Sequence, residues 1–191
     1  MTPSLALRAS VQRIPTRPRS IMRIFLAGIM QGSHRTAVLH DQQYRGRLRE
    51  LLVAHLPEAD VYDPLADHPK SLEYGEDKGR DVFFFHNRLC REVDVVLAFV
   101  PEATMGTAIE MWEAHTHGRL VVTISPLTHN WAVRFLSNIV YSSEEQFEAE
   151  LVSGELARRI AELQRQEPAD ASVAGPPAFL KLGVGGRARK S

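Results

Sequence analysis

The stretch that decides the fold is Asp94-Val-Val-Leu-Ala-Phe-Val-Pro-Glu-Ala-Thr-Met-Gly-Thr-Ala-Ile-Glu-Met-Trp-Glu113. Residues 94–100 are mostly apolar and rich in β-branched side chains, which is typical of a short strand buried on both faces. Pro101 ends that strand because proline offers no amide to a ladder, and residues 108–114 favour helix. A strand, a polar loop and a helix form the unit that places ligands at the carboxyl edge of a parallel sheet.

The polar loop of this unit is a candidate anion site. Gly106 lets a ligand approach the backbone, and the first amides of the following helix have no partners within the helix. Such amides favour anions. Glu110 follows about one turn later, and its carboxylate is the candidate reactive group. The alternative is that Glu110 has no role in catalysis and, as an acidic residue near the start of a helix, only interacts with the helix dipole.

The composition bounds the functions that are open to the chain. Its 191 residues suffice for one domain with tails, and 23 basic residues balance 23 acidic ones. Zero formal charge gives no global field to attract nucleic acid or an anionic membrane, and no apolar run reaches membrane-spanning length. The single cysteine, Cys90, cannot form an internal disulfide and indicates a reducing compartment. We therefore expect a cytoplasmic protein that binds a small molecule.

Strand and helix patterns alternate along the chain. Further short apolar runs predict strands at residues 21–27, 60–63, 120–124 and 139–141. The alternation predicts an α/β fold with a mostly parallel, five-stranded sheet.

The intervening segments lead to less regular predictions. We expect helices over residues 36–55, 80–93 and 143–166, and a long loop over 64–78. Phe83, Phe84 and Phe85 are expected in the core.

The two ends of the chain differ from its middle. Residues 1–20 contain four arginines and no acid, and residues 167–191 are rich in Gly, Pro and Ala with a basic end. We expect both to be disordered. Residues 21–166 are then the folded domain.

A second candidate anion site follows the first strand. The segment Gly28-Ile-Met-Gln-Gly32-Ser33-His34-Arg35 offers two glycines, a hydroxyl and a cation, as a phosphate-cradling turn would. It matches neither the dinucleotide nor the P-loop signature. A tight turn capped by Ser33 is the alternative.

Two other kinds of site are disfavoured. His115 and His117 form a His-x-His pair at a helix end, with no matching third ligand for a metal. Cys90 shares the apolar face of its helix, which argues against a thiol nucleophile. We therefore expect no metal and no cofactor.

Four segments together resemble the nucleoside 2-deoxyribosyltransferase family: Ile24–Gly28, Asp94–Ala98, Gly106–Glu110 and Gly118–Val122. The superfamily includes N-glycosidases that act on deoxynucleoside 5′-monophosphates, and the resemblance covers residues 22–140. It implies a flavodoxin-like three-layer sandwich and a homodimer or larger homo-oligomer. Glu110 falls on the family's catalytic glutamate, which attacks the anomeric carbon of the sugar and expels the base.

The resemblance also implies a substrate. The nucleoside-specific transferases carry an aspartate near the position of Thr104 that receives the free 5′-hydroxyl, whereas the monophosphate hydrolases have a hydroxyl residue there. A threonine hydroxyl can donate to a phosphate, so a 5′-monophosphate is the preferred substrate. We assign substrate binding to the two loops and their flanks, that is, to Gly28, Gly32, Ser33, Arg35, Asp81, Thr104, Gly106 and Thr107.

Two departures from the family pattern keep a second hypothesis open. Phe25 occupies the place of a tyrosine that hydrogen-bonds the catalytic carboxylate, and His86 or Asn87 lies where the family has an aspartate. We expect a helix amino end to keep the pKa of Glu110 low. His86, at its ordinary pKa, is expected to protonate the departing base, or else it is structural. The alternative function is a non-catalytic nucleotide-binding or signalling domain.

Overall fold

The computed structural model describes residues 21–31 and 38–166. Five parallel strands form one sheet in the order β2-β1-β3-β4-β5. The strands are β1 Met22–Gly28, β2 Ala59–Tyr62, β3 Val95–Phe99, β4 Leu120–Ile124 and β5 Ile139–Tyr141. This order, with helices on both faces, is that of a flavodoxin-like fold. The predicted α/β class and parallel sheet are confirmed.

In residues 21–31 and 38–166, seven α-helices and one 3₁₀ turn connect and cover the strands. In chain order they are α1 Gln43–His55, α2 Pro64–Asp67, the 3₁₀ turn Ser71–Glu73, α3 Glu76–Glu92, α4 Met105–Thr116, α5 Trp131–Leu136, α6 Glu144–Val152 and α7 Glu155–Gln166. In the described part of the chain, no helix combines the length and the apolar character that crossing a membrane requires.

The helices form two layers because each strand buries both of its faces. Ile24 and Leu26 of β1 pack into a core with α1, α6 and α7. Phe25 and Ala27 point the other way, into a core with α3, α4 and α5. The side chains of Phe25, Val96 and Val121 are fully buried.

The helix boundaries differ from the predictions in three places. In the described residues the first helix begins only at Gln43, and the segment expected to be a loop contains α2, the 3₁₀ turn and the start of α3. The last predicted helix is two helices, because Gly154 adopts a positive φ of 79° between them.

The expectation that Phe83, Phe84 and Phe85 belong to the core is wrong. Their exposed fractions are 44%, 52% and 38%. Successive helical residues are about 100° apart around the axis, so three in a row cannot share one face. The buried positions of α3 are Asn87 and Cys90 instead.

Several predictions fall outside the described residues. These are the arm at 1–20, the tail at 167–191, and the candidate phosphate-binding residues Gly32, Ser33 and Arg35.

Candidate active site

A buried arginine organises the corner of the sheet where β1 ends. Arg45 of α1 donates from Nη1 to the Leu26 carbonyl at 2.9 Å and from Nη2 to the Gly28 carbonyl at 3.1 Å. Its Nη1 also lies 3.1 Å from Asp63 Oδ1, in a buried ion pair. Asp63 in turn accepts from the Leu65 amide and caps α2. A positive charge is therefore fixed at the carboxyl edge of the sheet.

Arg45 is not among the residues predicted for the site, although its position in the sequence carries one signal. Arg45, Leu48 and Leu52 recur at helical spacing and are the buried positions of one face of α1. Arginine is rarely fully buried unless it is paired. Its place in such an apolar stripe therefore predicts hydrogen-bond or ion-pair partners in the core.

Gly28 has a structural role at the same corner. The Tyr44 hydroxyl donates to the Ile29 carbonyl at 2.9 Å, and a Cβ added at Gly28 would collide with that hydroxyl. Gly28 therefore makes room for Tyr44.

Glu110 lies in the second turn of α4 and is partly buried. Within residues 21–31 and 38–166 its carboxylate has no hydrogen-bond or ion-pair partner. Burial raises the pKa of Glu110 to about 7, and the charge of Arg45 opposes that shift only in part. The expected low pKa is wrong, because the helix amino end acts mainly on the first turn and desolvation outweighs it here.

His86 of α3 belongs to a hydrogen-bonded cluster. The Tyr62 hydroxyl lies 2.7 Å from Asp67 Oδ2 and 3.2 Å from His86 Nε2. Phe25 stacks on Tyr62, with ring centroids 5.7 Å apart. The two residues are register partners on β1 and β2.

The electrostatic surroundings of His86 disfavour its protonation. Burial, followed by the charges of His68 and Arg45, lowers the pKa of His86 to about 4, against an opposing effect of Asp67. The expectation of an ordinary pKa is wrong, because a partly buried imidazole near other cationic groups holds a proton poorly. At neutral pH the ring is uncharged.

Arg45 links the two candidate catalytic residues. Its charge contributes to the pKa of both Glu110 and His86. Both side chains are therefore within electrostatic range of the same guanidinium.

Thr104 and Gly106 lie at the amino end of α4. Thr104 precedes the helix and makes no capping hydrogen bond with its side chain. It lines a cleft between α4 and α5, together with Ala108, Asn130 and Val133. Gly106 has open space where a Cβ would be. Both residues are available to a ligand.

The other predicted substrate-binding residues, and the Cys90 thiol, are placed less favourably for contact with a ligand. The Thr107 side chain is buried, and its hydroxyl has no partner among the described residues. Asp81 is exposed on α3, and no hydrogen bond or ion pair joins its side chain to another described residue. Burial raises the pKa of the Cys90 thiol well above its usual range. A thiol that stays protonated is not a nucleophile.

Comparisons with known proteins bear on the fold. No protein-family model and no curated protein sequence matches the chain. Among solved structures, a 2-deoxyribosyltransferase from the psychrotolerant bacterium Bacillus psychrosaccharolyticus matches with a TM-score of 0.51 and 18% identity, over 68% of this chain and 95% of that one. The chain has the fold of that transferase.

Two weaker structural matches accompany it. A CMP N-glycosidase from Clostridium botulinum is 23% identical, with a TM-score of 0.43 over 69% of this chain and 98% of that one. A putative sugar binding protein from Salmonella typhimurium is 14% identical, with a TM-score of 0.44 over 77% of this chain and 44% of that one. The likeness to the 2-deoxyribosyltransferase, at 18% identity, shows the fold alone.

Proposed function

We propose that the protein cleaves the bond between base and sugar of a nucleoside or, preferably, a nucleoside 5′-monophosphate, with Glu110 as the catalytic carboxylate. One observation carries the proposal. Glu110 is a carboxylate with no partner among the described residues, and it is within electrostatic range of a buried arginine that is fixed at the carboxyl edge of a parallel sheet. Ligands bind at that edge in this class of fold. The 2-deoxyribosyltransferase that shares the fold supports the choice of reaction.

The chemistry needs an anionic group beneath the sugar ring. Departure of the base leaves oxocarbenium-like character at the anomeric carbon. The ionised Glu110 carboxylate attacks that carbon, the carbon–nitrogen bond breaks, and its electron pair leaves with the base. Water or a second base then displaces the carboxylate from the sugar. With a pKa of about 7, a substantial fraction of Glu110 is ionised at neutral pH.

The 5′-phosphate is assigned to the amino end of α4. The Thr104 hydroxyl is not used for capping and can donate to a phosphate oxygen. The first amides of the helix, near Gly106, favour the same anion. A carboxylate in place of Thr104 would repel a phosphate, and this difference supports a monophosphate over a nucleoside.

A second candidate function is a nucleotide sensor that does no chemistry. One observation favours it: the buried Phe25 brings no hydroxyl to Glu110, and no other described residue hydrogen-bonds that carboxylate. In such a protein the same corner would bind nucleotide without cleaving it.

Self-association is part of the proposal. The layer of α3, α4 and α5 exposes eight large apolar side chains: Phe83, Phe84, Phe85, Met105, Ile109, Trp112, Trp131 and Phe135. Exposed apolar surface of this kind marks interaction sites. We propose that a second copy of the chain covers part of it. Sedimentation equilibrium of the full chain tests this point, and a monomer at all concentrations would contradict it.

The decisive experiment combines a ligand panel with one substitution. Wild-type protein is incubated with nucleosides and their 5′-monophosphates, and released base is quantified by chromatography. Glu110→Gln keeps the shape of the side chain but removes the charge and the nucleophile, so base release should fall by several orders of magnitude. Binding of a monophosphate, measured by calorimetry, should change little.

Glu113→Gln is the matched control. Glu113 lies one turn further along α4 and pairs with Arg91 at 2.7 Å, so its loss should leave base release near the wild-type level. Unchanged release in Glu110→Gln would eliminate the mechanism. If the wild type binds monophosphates and releases no base from any of them, the sensor takes its place.

A further inference from the structure

Hydrogen-bond donors and acceptors in the cluster around His86 determine the tautomer of its ring. An ionised Asp67 carboxylate can only accept. The Tyr62 hydroxyl, 2.7 Å from Asp67 Oδ2, must therefore donate to it. Its single proton is then used, so the Tyr62 oxygen accepts from His86 Nε2 at 3.2 Å. His86 carries its proton on Nε2, and Nδ1 keeps a lone pair.

Position and charge make that lone pair available to a ligand. His86 is partly exposed, and Nδ1 has no hydrogen-bond partner in the described part of the chain. The ring packs by its edge against Phe25, with centroids 6.1 Å apart, near the ends of β1 and β2, where Arg45 joins the Leu26 carbonyl to Asp63. Burial, followed by the neighbouring charges, lowers the pKa of His86 to about 4. Nδ1 is therefore an acceptor that offers no proton at neutral pH.

We propose that His86 selects a base with an exocyclic amino group, as in cytosine or adenine, by accepting a hydrogen bond from that group at Nδ1. Tyr62 and Asp67 are positioning residues that hold the ring in this tautomer. The inference rests on the proposed function, since it takes the corner around Glu110 as the nucleoside site. The expected proton donation from His86 to the leaving base is replaced by recognition of the base.

The discrimination follows from the geometry of the bases. An exocyclic amino group projects beyond the ring and carries two N–H donors. In uracil or hypoxanthine a carbonyl oxygen occupies the same place. Its lone pairs would face the lone pair of Nδ1, and the two acceptors would repel each other. In a site that holds the base with its exocyclic position facing Nδ1, the ring N–H of those bases points to one side of Nδ1 rather than at it. A site that leaves a polar group unpaired binds the wrong ligand less well.

Binding to the Glu110→Gln variant tests the inference without depending on turnover. Calorimetry compares cytidine with uridine and adenosine with inosine, each pair as nucleosides and as 5′-monophosphates. We expect the amino member of each pair to bind about three- to tenfold more tightly, as expected for one hydrogen bond between neutral groups. Equal binding, or preference for the carbonyl member, would overturn the inference.

Tyr62→Phe tests the positioning role. The ring keeps its stacking on Phe25 but loses the hydroxyl that fixes the tautomer, so the amino preference should shrink to about twofold or less. In turnover the loss should lie in KM for the amino substrate, with kcat little changed. Tyr74→Phe is the matched control, because Tyr74 bonds His68 at 3.2 Å in the same cluster and does not touch His86. A preference that survives in Tyr62→Phe would refute the role of Tyr62.

The outcomes separate this inference from the proposed function. If Glu110-dependent base release occurs without an amino preference, the function stands and the inference is wrong. If the amino preference appears but wild-type protein releases no base, the inference stands and the glycosidase is replaced by a sensor. If none of the ligands binds, both are wrong.

Discussion

The two faces of the sheet carry different kinds of chemistry. On the face covered by α1, α6 and α7, the polar groups at the layer's edge find partners. Glu150 Oε2 accepts from the Tyr141 hydroxyl at 2.7 Å and from Arg159 Nη1 at 2.8 Å, which joins β5, α6 and α7. Arg47 of α1 pairs with Glu144 of α6. Only Val53 and Val152 are exposed large apolar side chains of these three helices.

On the face covered by α3, α4 and α5, some buried polar groups lack hydrogen-bond partners. Asn87 Oδ1 and the Thr107 hydroxyl are buried without a partner among the described residues. Burial raises the pKa of Glu110 on this face to about 7, and large aromatic side chains lie in solvent. Unpaired buried groups cost free energy. The comparison indicates that the face covered by α1, α6 and α7 stabilises the fold. The face covered by α3, α4 and α5 keeps a reactive carboxylate and exposed apolar side chains at the cost of stability.

The largest effect should come from the core of the first face. Phe147 is fully buried between α6 and the sheet and packs against Tyr141, with ring centroids 5.7 Å apart. Phe147→Ala should lower the free energy of unfolding by about 3–5 kcal/mol, because it removes apolar contact and leaves a cavity. Urea unfolding followed by circular dichroism measures the change. A loss below 1 kcal/mol would mean that this face does not dominate stability.

The next effect is the dependence of base release on pH. Only ionised Glu110 is a nucleophile, and its pKa is about 7. We therefore expect kcat/KM to rise about tenfold per pH unit up to pH 7 and to level off above it. A nucleoside is the substrate of choice here, since a phosphate titrates near pH 6 itself. A profile that is already flat at pH 5 would contradict the raised pKa of Glu110.

The same ionisation should be visible in stability. The folded state holds the Glu110 proton up to about pH 7, whereas an unfolded glutamate loses it near pH 4.3. Wild-type protein should lose stability as the pH rises through this window, because the folded state binds more protons there. Glu110→Gln does not titrate, so at pH 8 it should be more stable than wild type by about 1–3 kcal/mol.

Thermal or urea unfolding at pH 4.5 and pH 8 provides the internal control. The advantage of Glu110→Gln should be small at the lower pH, where folded Glu110 is protonated and an unfolded glutamate is still about half protonated. An equal advantage at both pH values would point to packing rather than charge.

These contrasts show what the sequence could predict. The apolar run of β3 must bury both faces, and strand and helix patterns alternate, so an α/β fold with a parallel sheet followed from local pattern. The three-layer sandwich was implied by the family resemblance. Glu110 followed from its place after β3. Arg45 was not predictable in this way, because its partners are carbonyls of β1 and a carboxylate after β2. The pKa values of Glu110 and His86 depend on which distant groups pack around them, and the tautomer of His86 depends on Tyr62 and Asp67. Helical geometry predicts only that Phe83, Phe84 and Phe85 cannot all be buried. The exposure of all three depends on how α3 packs on the sheet.

The smallest effect should come from an aromatic side chain on the second face. Phe84 is 52% exposed on α3, so Phe84→Ala should change the free energy of unfolding by no more than about 0.5 kcal/mol. Phe84→Ala and Phe147→Ala remove the same side chain from different faces of the sheet. The difference between their effects on the free energy of unfolding therefore reports how much each face contributes to stability. If the patch binds a second copy, Phe84→Ala should also raise the dissociation constant in sedimentation equilibrium. Loss of more than 1 kcal/mol at concentrations where the protein is monomeric would mean that Phe84 supports the fold itself, and the division between the two faces would be wrong.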